Sequence, residues 1–228
     1  MNVMNVIIPI SNGFTDSEFI YAYYRMKEAG HEVFVATPDG KGVVGDKGWV
    51  VKDEQVHCAM DEDLLEAKFE VFCLIGGVKC IEKLRLNKYL IQTIEGHFLR
   101  SSIKQEQNVV IASICHGAQL LIEADIPRMV SGKISGYYSI AKDIVNAGAA
   151  YSKHCNVAMY TRPDGSQCAV VTASHYNDNH TWMRLTIDAI GVLLEGKSPS
   201  RIETLQDSTD NKNQRQDLLS LRTKAEWL

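Results

Sequence analysis

Val109-Val110-Ile111-Ala112-Ser113-Ile114-Cys115-His116-Gly117-Ala118-Gln119-Leu120-Leu121 decides the reading of this chain. The first six residues are apolar or small and rich in Val and Ile, which predicts a buried strand. After Cys115 the spacing of Leu120, Leu121 and Ala124 turns helical. Cys115 therefore falls on a strand-to-helix turn, a nucleophile elbow. In such a turn the backbone is strained so that one side chain stands clear of the sheet, and small residues two places to either side relieve crowding. Here they are Ser113 and Gly117. The start of the helix also aims unpaired N–H groups at the sulfur, which predicts a favoured thiolate. Against this stands the ordinary fate of an unpaired cysteine, which is to be buried and inert. The apolar strand before it, the small flanking residues and His116 directly after it mark Cys115 as a candidate nucleophile.

Outward from the elbow, the chain alternates strand-like and helix-like segments. Residues 3–10 form a near-continuous apolar run, the pattern of a parallel strand covered on both faces, and end in the turn cluster Ser11-Asn12-Gly13. Thr15 or Asp16 is expected to cap the following helix, with Glu18 completing a capping box, and Gly30 to end it. Residues 31–37 read as a second strand, closed by Pro38-Asp39-Gly40. The next stretch, Gly40-Lys41-Gly42-Val43-Val44-Gly45, satisfies G-x-G-x-x-G. Dinucleotide binding would need a helix N-terminus directly beyond it, and residues 46–51 read as strand or loop, so a glycine-rich hairpin is expected.

A short helix is predicted over residues 60–68 and a third core strand over 70–75, closing at Gly76-Gly77. Two glycines there let the backbone approach a ligand closely, or simply make a tight turn. Residues 84–101 read as one long amphipathic helix, 132–138 as strand or loop, and 140–146 as a short helix. Residues 155–161 and 167–173 read as strands joined by the hairpin loop Arg162-Pro163-Asp164-Gly165-Ser166. Asp178 is expected to cap a final helix over residues 181–195. If the strands are parallel, the turns at 13–18, 76–77 and 115–116, with a fourth at 174–178, share one edge of the sheet.

The 228 residues suit one α/β domain, residues 1–197, followed by a C-terminal extension, residues 198–228. That extension is polar and then helical, with Leu218, Leu219, Leu221 and Trp227, and is expected to dock on the domain or a neighbouring subunit. Hydrophobic residues at 45% and charged residues at 23% are ordinary for a soluble globular protein. No apolar run approaches the ~18 residues of a membrane span and no basic leader precedes the first strand, so a cytoplasmic protein without membrane contact is expected. A net charge of −4 offers no basic face for nucleic acid. The six cysteines include no C-x-x-C, and Cys73 and Cys168 lie in strand-like runs, which indicates a reducing compartment. The seven histidines include no H-x-H or H-x-x-x-H, so a dedicated metal site is not expected.

Four stretches carry a resemblance: Phe14-Thr15-Asp16-Ser17-Glu18; Gly30-His31-Glu32-Val33; Gly76-Gly77 with Glu82 and Arg85-Leu86-Asn87; and Ala112 to Gln119 around the elbow. Together they resemble the ThiJ/PfpI superfamily, its PfpI-type, class I glutamine amidotransferase-like members above all, over about residues 3–195. The resemblance implies a flavodoxin-like, doubly wound, mostly parallel sheet with helices on both faces. It implies a nucleophilic Cys115 with His116 beside it, Glu18 as the carboxylic acid against the thiol, and Glu82 as an acid offered to a neighbouring subunit's histidine. Backbone N–H groups of Gly77 and His116 would form the oxyanion hole, and Gly76, Tyr137, Thr15 and Cys80 would lie at the substrate pocket. Thr15 stands where the family often has an acid, and Ala118 where it often has proline.

Read from the residues alone, Glu18 is a capping acid of a first helical turn and Glu82 a solvated acid paired with Lys83. Cys80 is either a buried thiol or one able to resolve an oxidised Cys115. Adjacent side chains usually diverge, which leaves the reach of His116 to the sulfur open. An ionised Glu18 would raise the thiol pKa, so an activating Glu18 must be protonated and donate to thiolate.

The expected function is attack by Cys115 on an electrophilic carbon of a small metabolite, without a cofactor. Its specific form is a glyoxalase III-like lyase, or a hydratase or hydrolase. A PfpI-type intracellular cysteine peptidase is the alternative within enzymes, and a redox-sensing or holdase-type stress protein the alternative of another class. Self-association as a dimer or larger is expected, as is a small-molecule substrate.

Overall fold

The computed structural model describes residues 2–99 and 108–196. β1 (Asn5–Pro9) leads to α1 (Asp16–Glu28) and β2 (Glu32–Thr37). The antiparallel ribbon of β3 (Val43–Val44) and β4 (Val50–Val51) follows, so residues 40–45 enter the glycine-rich hairpin expected of them. Next come β5 (Cys58–Ala59), β6 (Val71–Leu74), α2 (Val78–Leu84) and α3 (Lys88–Leu99). β7 (Val109–Ile114) runs through a tight turn at Cys115–Gly117 into α4 (Ala118–Glu123). β8 (Lys133–Ser135), α5 (Ala141–Asn146), β9 (Ala150–Ser152), β10 (Asn156–Thr161), β11 (Gln167–Ala173) and α6 (Asn179–Leu193) complete the order.

The main sheet has the order β10-β11-β7-β6-β1-β2-β5 and is parallel throughout except where β10 meets β11. α6 packs on β7, β11 and α1, while α4 packs on β7 and α2. This is the mostly parallel, flavodoxin-like α/β sheet with helices on both faces. Its central strands carry apolar side chains on both sides because both sides are covered: Val6, Ile7, Ile8, Val71, Phe72, Val110 and Ile111 have no exposed surface. From β1 the chain steps outward to β2, and from β6 it steps the other way to β7. The crevice between the carboxyl ends of β1 and β6 is therefore the topological switch point, the place where such sheets receive ligands.

Several local expectations are corrected. The capping box of Thr15 and Glu18 does not form: Thr15 makes no side-chain cap, and Glu18 is fully buried against the next loop. Residues 84–101 are not one helix. α2 starts directly after Gly77, and the Asn87 side chain takes the Leu90 N–H at 2.9 Å and starts α3 afresh. Residues 60–68 hold only a 3-10 turn, Glu62–Leu65, capped by Asp61. Asp178 makes no side-chain cap; His175 Nδ1 caps the turn before α6 instead, accepting from Asn177 N–H. The extension expected over residues 198–228 lies outside the described residues. Among the described residues no helix is long and apolar enough to cross a membrane.

Candidate active site

Cys115 has φ +58°, the left-handed region that a non-glycine residue enters at a cost of about 1–2 kcal/mol. The surroundings hold it there. Its carbonyl accepts the Tyr137 N–H at 3.1 Å, and a Cβ on Gly117 would lie 2.2 Å from the Leu74 carbonyl oxygen, so only glycine lets the turn press this closely on β6. Ser113, the other small neighbour, is fully buried. The thiol itself sits in a nearly closed place, with Cys115 only 7% exposed.

Glu18 reaches this thiol from the first turn of α1. Its Oε2 accepts the Gly76 N–H at 2.6 Å, and its carboxyl lies against the Cys115 sulfur. The reason residue 76 is glycine is spatial. A Cβ there would come within 2.9 Å of both the Cys115 Cβ and Glu18 Oε2, and within 3.1 Å of the sulfur. Burial raises the Glu18 pKa to about 7, against the opposing pull of the Gly76 hydrogen bond. Oε1 is buried and accepts no hydrogen bond, so it is the oxygen suited to carry the proton. Burial also pushes the Cys115 thiol well above its ordinary value, and the Glu18 charge adds to the rise. The thiolate expected from the helix start is thus not the resting form: the elbow helix opens as a single 3-10 turn and continues for only six residues, and its dipole does not offset burial beside an acid.

His116 does reach the sulfur. The tight turn at Cys115–Gly117 leaves the two neighbouring side chains facing each other, with Nδ1 3.4 Å from Sγ. The other ring nitrogen, Nε2, lies 3.4 Å from Ser139 Oγ. The Tyr137 ring stacks on the imidazole at a centroid distance of 4.8 Å, and the His175 ring stands 6.0 Å from Tyr137 on the turn after β11. Burial lowers the His116 pKa, with the Glu82 charge working in the other direction.

The remaining residues divide by place. Gly77 has φ +105° and stands at the start of α2; a Cβ there would strike the Gly13 carbonyl oxygen at 2.3 Å. Thr15 joins the same loop by its N–H to the Gly76 carbonyl, 3.1 Å. Tyr137 lies beside the site, over His116. Cys80 does not line open space: it is fully buried, its sulfur accepts the Ser11 N–H at 3.2 Å, and burial raises its pKa to about 11. Glu82 is paired with Arg85 at 3.4 Å rather than with Lys83, and its side chain is 60% exposed.

Two contributors went unread in the sequence. Asp46, on the β3–β4 ribbon, accepts the Asp16 N–H at 3.3 Å, and its charge raises both Glu18 and Cys115. Ser139 is a lone serine in a turn, and nothing in its sequence surroundings singles it out. His175 fell within the 174–178 turn, whose strand position was the available signal. Among the described residues no group of three or more His, Cys, Asp or Glu side chains is placed to hold a metal ion.

The elbow and the switch-point crevice define a flavodoxin-like α/β protein organised round a single cysteine. Within that class the chain belongs to the DJ-1/PfpI family, whose model matches residues 4–189. Deglycase PfpI of Pyrococcus furiosus is 30% identical over 181 residues, 79% of this chain and 96% of that protein. Protein/nucleic acid deglycase 2 of Escherichia coli is 32% identical over 149 residues, 64% of this chain and 78% of that protein. Of solved structures, DJ-1 of Schizosaccharomyces pombe superposes with a TM-score of 0.63 at 13% identity, covering 90% of this chain and 98% of that one.

Proposed function

We propose that this protein is a cysteine-dependent enzyme acting on the carbonyl carbon of a small α-oxoaldehyde, which it converts to a 2-hydroxy acid without a cofactor. One observation carries the reading: the Cys115 sulfur is flanked by two groups able to move its proton, the Glu18 carboxyl with a pKa near 7 and the His116 Nδ1 at 3.4 Å. The naming of two similar proteins as deglycases supports chemistry at a carbonyl adduct.

The chemistry follows from those groups. Protonated Glu18 donates to the sulfur while the thiol proton passes to His116 Nδ1, and the sulfur bonds to the aldehyde carbon. The resulting oxyanion falls to backbone N–H groups; those of Gly77 and His116 suit this role because each sits at a helix start, where no carbonyl of the same helix reaches it. Proton return to the oxygen gives a hemithioacetal. Transfer of its carbon-bound hydrogen, as a proton, to the neighbouring carbon, with the hydroxyl proton passing to the former ketone oxygen, yields a thioester. Hydrolysis consumes one water, frees the 2-hydroxy acid and restores the thiol.

The test is loss of methylglyoxal with stoichiometric lactate formation by the full chain. Activity abolished by Cys115→Ala supports the reading. No lactate, or lactate formed equally by Cys115→Ala, overturns it.

A further inference from the structure

The tip of the β3–β4 ribbon is fastened over the first turn of α1. The Asp46 N–H donates to the Phe14 carbonyl at 2.8 Å, and the Asp46 carboxylate accepts the Asp16 N–H at 3.3 Å. Asp16 Oδ2 in turn accepts the Lys47 and Trp49 N–H groups at 3.1 and 3.0 Å. A second tie joins the ribbon to the switch-point loop: the Gly13 N–H donates to the Val44 carbonyl and the Val44 N–H to Asn12 Oδ1, both at 2.8 Å. Asp46 is thereby held against the residues on either side of Thr15, at the helical turn that carries Glu18 to the Cys115 sulfur, and it remains exposed.

Resting on the reading of Cys115 as nucleophile, we propose that Asp46 sets the charge preference of this site. Its carboxylate admits uncharged carbonyl substrates, turns away those that carry a carboxylate of their own, and helps an acidic product to leave.

Among the described residues, the side-chain charges acting on Cys115, Glu18 and His116 come from Glu18, Asp46 and Glu82, and all three are acidic. They are not equivalent. Glu18 is buried and loses its charge below about pH 7. Glu82 is paired with Arg85, whose cation offsets its field at a distance. Asp46 is met by a backbone N–H, a dipole that leaves the unit charge in place. Lys47 beside it and Lys79, whose stem lies by Gly13, are exposed and are not among the charges acting on the sulfur or on Glu18. Around a thiol so nearly closed from water, such a field is weakly screened. An α-oxoaldehyde carries no charge for it to act on, whereas the 2-hydroxy acid made from it is an anion at neutral pH and is driven toward solvent.

The experiment measures how fast Cys115 is alkylated by iodoacetamide, which is uncharged, and by iodoacetate, an anion of nearly the same size. Each rate is taken relative to 2-mercaptoethanol at about pH 9 and low ionic strength. Both reagents need the same thiolate, so their ratio cancels any change in thiol ionisation. In wild type, iodoacetate is expected to be disfavoured relative to the free thiol. Asp46→Asn, which keeps an oxygen for the Asp16 N–H, is expected to raise the iodoacetate-to-iodoacetamide ratio about threefold, and Asp46→Lys about tenfold. Salt at about 0.5 M is expected to remove most of the difference. A wild-type ratio equal to that of the free thiol, or one unchanged in Asp46→Asn, overturns the proposal. So does a shift produced by Glu82→Gln and not by Asp46→Asn. Alkylation by neither reagent removes the nucleophile, and the proposal with it. No carbonyl substrate takes part, so failure of the α-oxoaldehyde reading is told apart from failure of this one.

Discussion

Glu18 and Cys115, ninety-seven positions apart in sequence, are pressed together across Gly76 in one buried site, where burial makes both harder to ionise, the Glu18 charge adds to the rise of the thiol, and the thiol's hydrogen bond works against the rise of Glu18. The carboxyl pKa is raised to about 7 and the thiol is driven well above it, so Glu18 gives up its proton before the thiol does. The acid is useful to the thiol only while it keeps its proton.

The first consequence concerns reactivity. Alkylation of Cys115 is expected to show a midpoint above the ~8.5 of a free thiol. In Glu18→Gln a neutral donor replaces the ionising acid, and the midpoint is expected to fall by about one unit or more. Peptide mass spectrometry after timed iodoacetamide exposure measures this, with the fully buried Cys73, Cys80 and Cys168 as internal controls. A midpoint unchanged in the variant would show that the charge of Glu18 does not act on the sulfur.

A second concerns stability and pH. The folded protein holds the Glu18 proton to about pH 7, against a reference of 4.5. Between these values the native state binds more protons than the unfolded chain, so stability falls as pH rises, by about 3 kcal/mol for this group. That contribution is complete below about pH 4.5 and gone above about pH 7. Urea unfolding of wild type and Glu18→Gln across pH 4 to 8 reads it as the difference between the two proteins, since His97 and His116, whose pKa values burial lowers, contribute equally to both. Parallel curves would count against a raised Glu18.

The third tests the close approach at Gly76. Gly76→Ala introduces a methyl group 2.9 Å from both the Cys115 Cβ and Glu18 Oε2. Overpacking of this kind costs about 1–3 kcal/mol, and the forced separation of acid and thiol is expected to lower methylglyoxal turnover by about tenfold or more. Chemical denaturation and steady-state kinetics on the same preparation separate the two effects. Wild-type turnover in the variant would mean that the spacing of Glu18 and Cys115 is not needed.

How far the chain could be read in advance follows from the range of each signal. β1, β2, β7 and β11 were legible because a covered parallel strand is apolar at nearly every position and its ends are marked by turn residues. The hairpin loop at residues 162–166 was legible from its own Pro-Asp-Gly. The break between α2 and α3 was not, because Asn87 starts the second helix through a side-chain contact that competes with an otherwise continuous helical pattern. The short pairing of β8 with β9 escaped for a different reason: three-residue strands carry too little alternation to stand out.

By itself the sequence determined the sheet-forming segments and the turn that carries Cys115, since both depend on residues within a few places of one another. Tertiary structure alone decided what those residues do. The ionisation of Glu18 and of the thiol is governed by loss of water and by a partner brought from another strand end, and the reach of His116 to the sulfur by the tight turn that carries both. The neighbour of Nε2, a serine twenty-three residues onward, is chosen by how the β8–α5 turn folds back on the elbow. Desolvation and close packing act between groups that meet only after folding, which is why no local pattern encodes them.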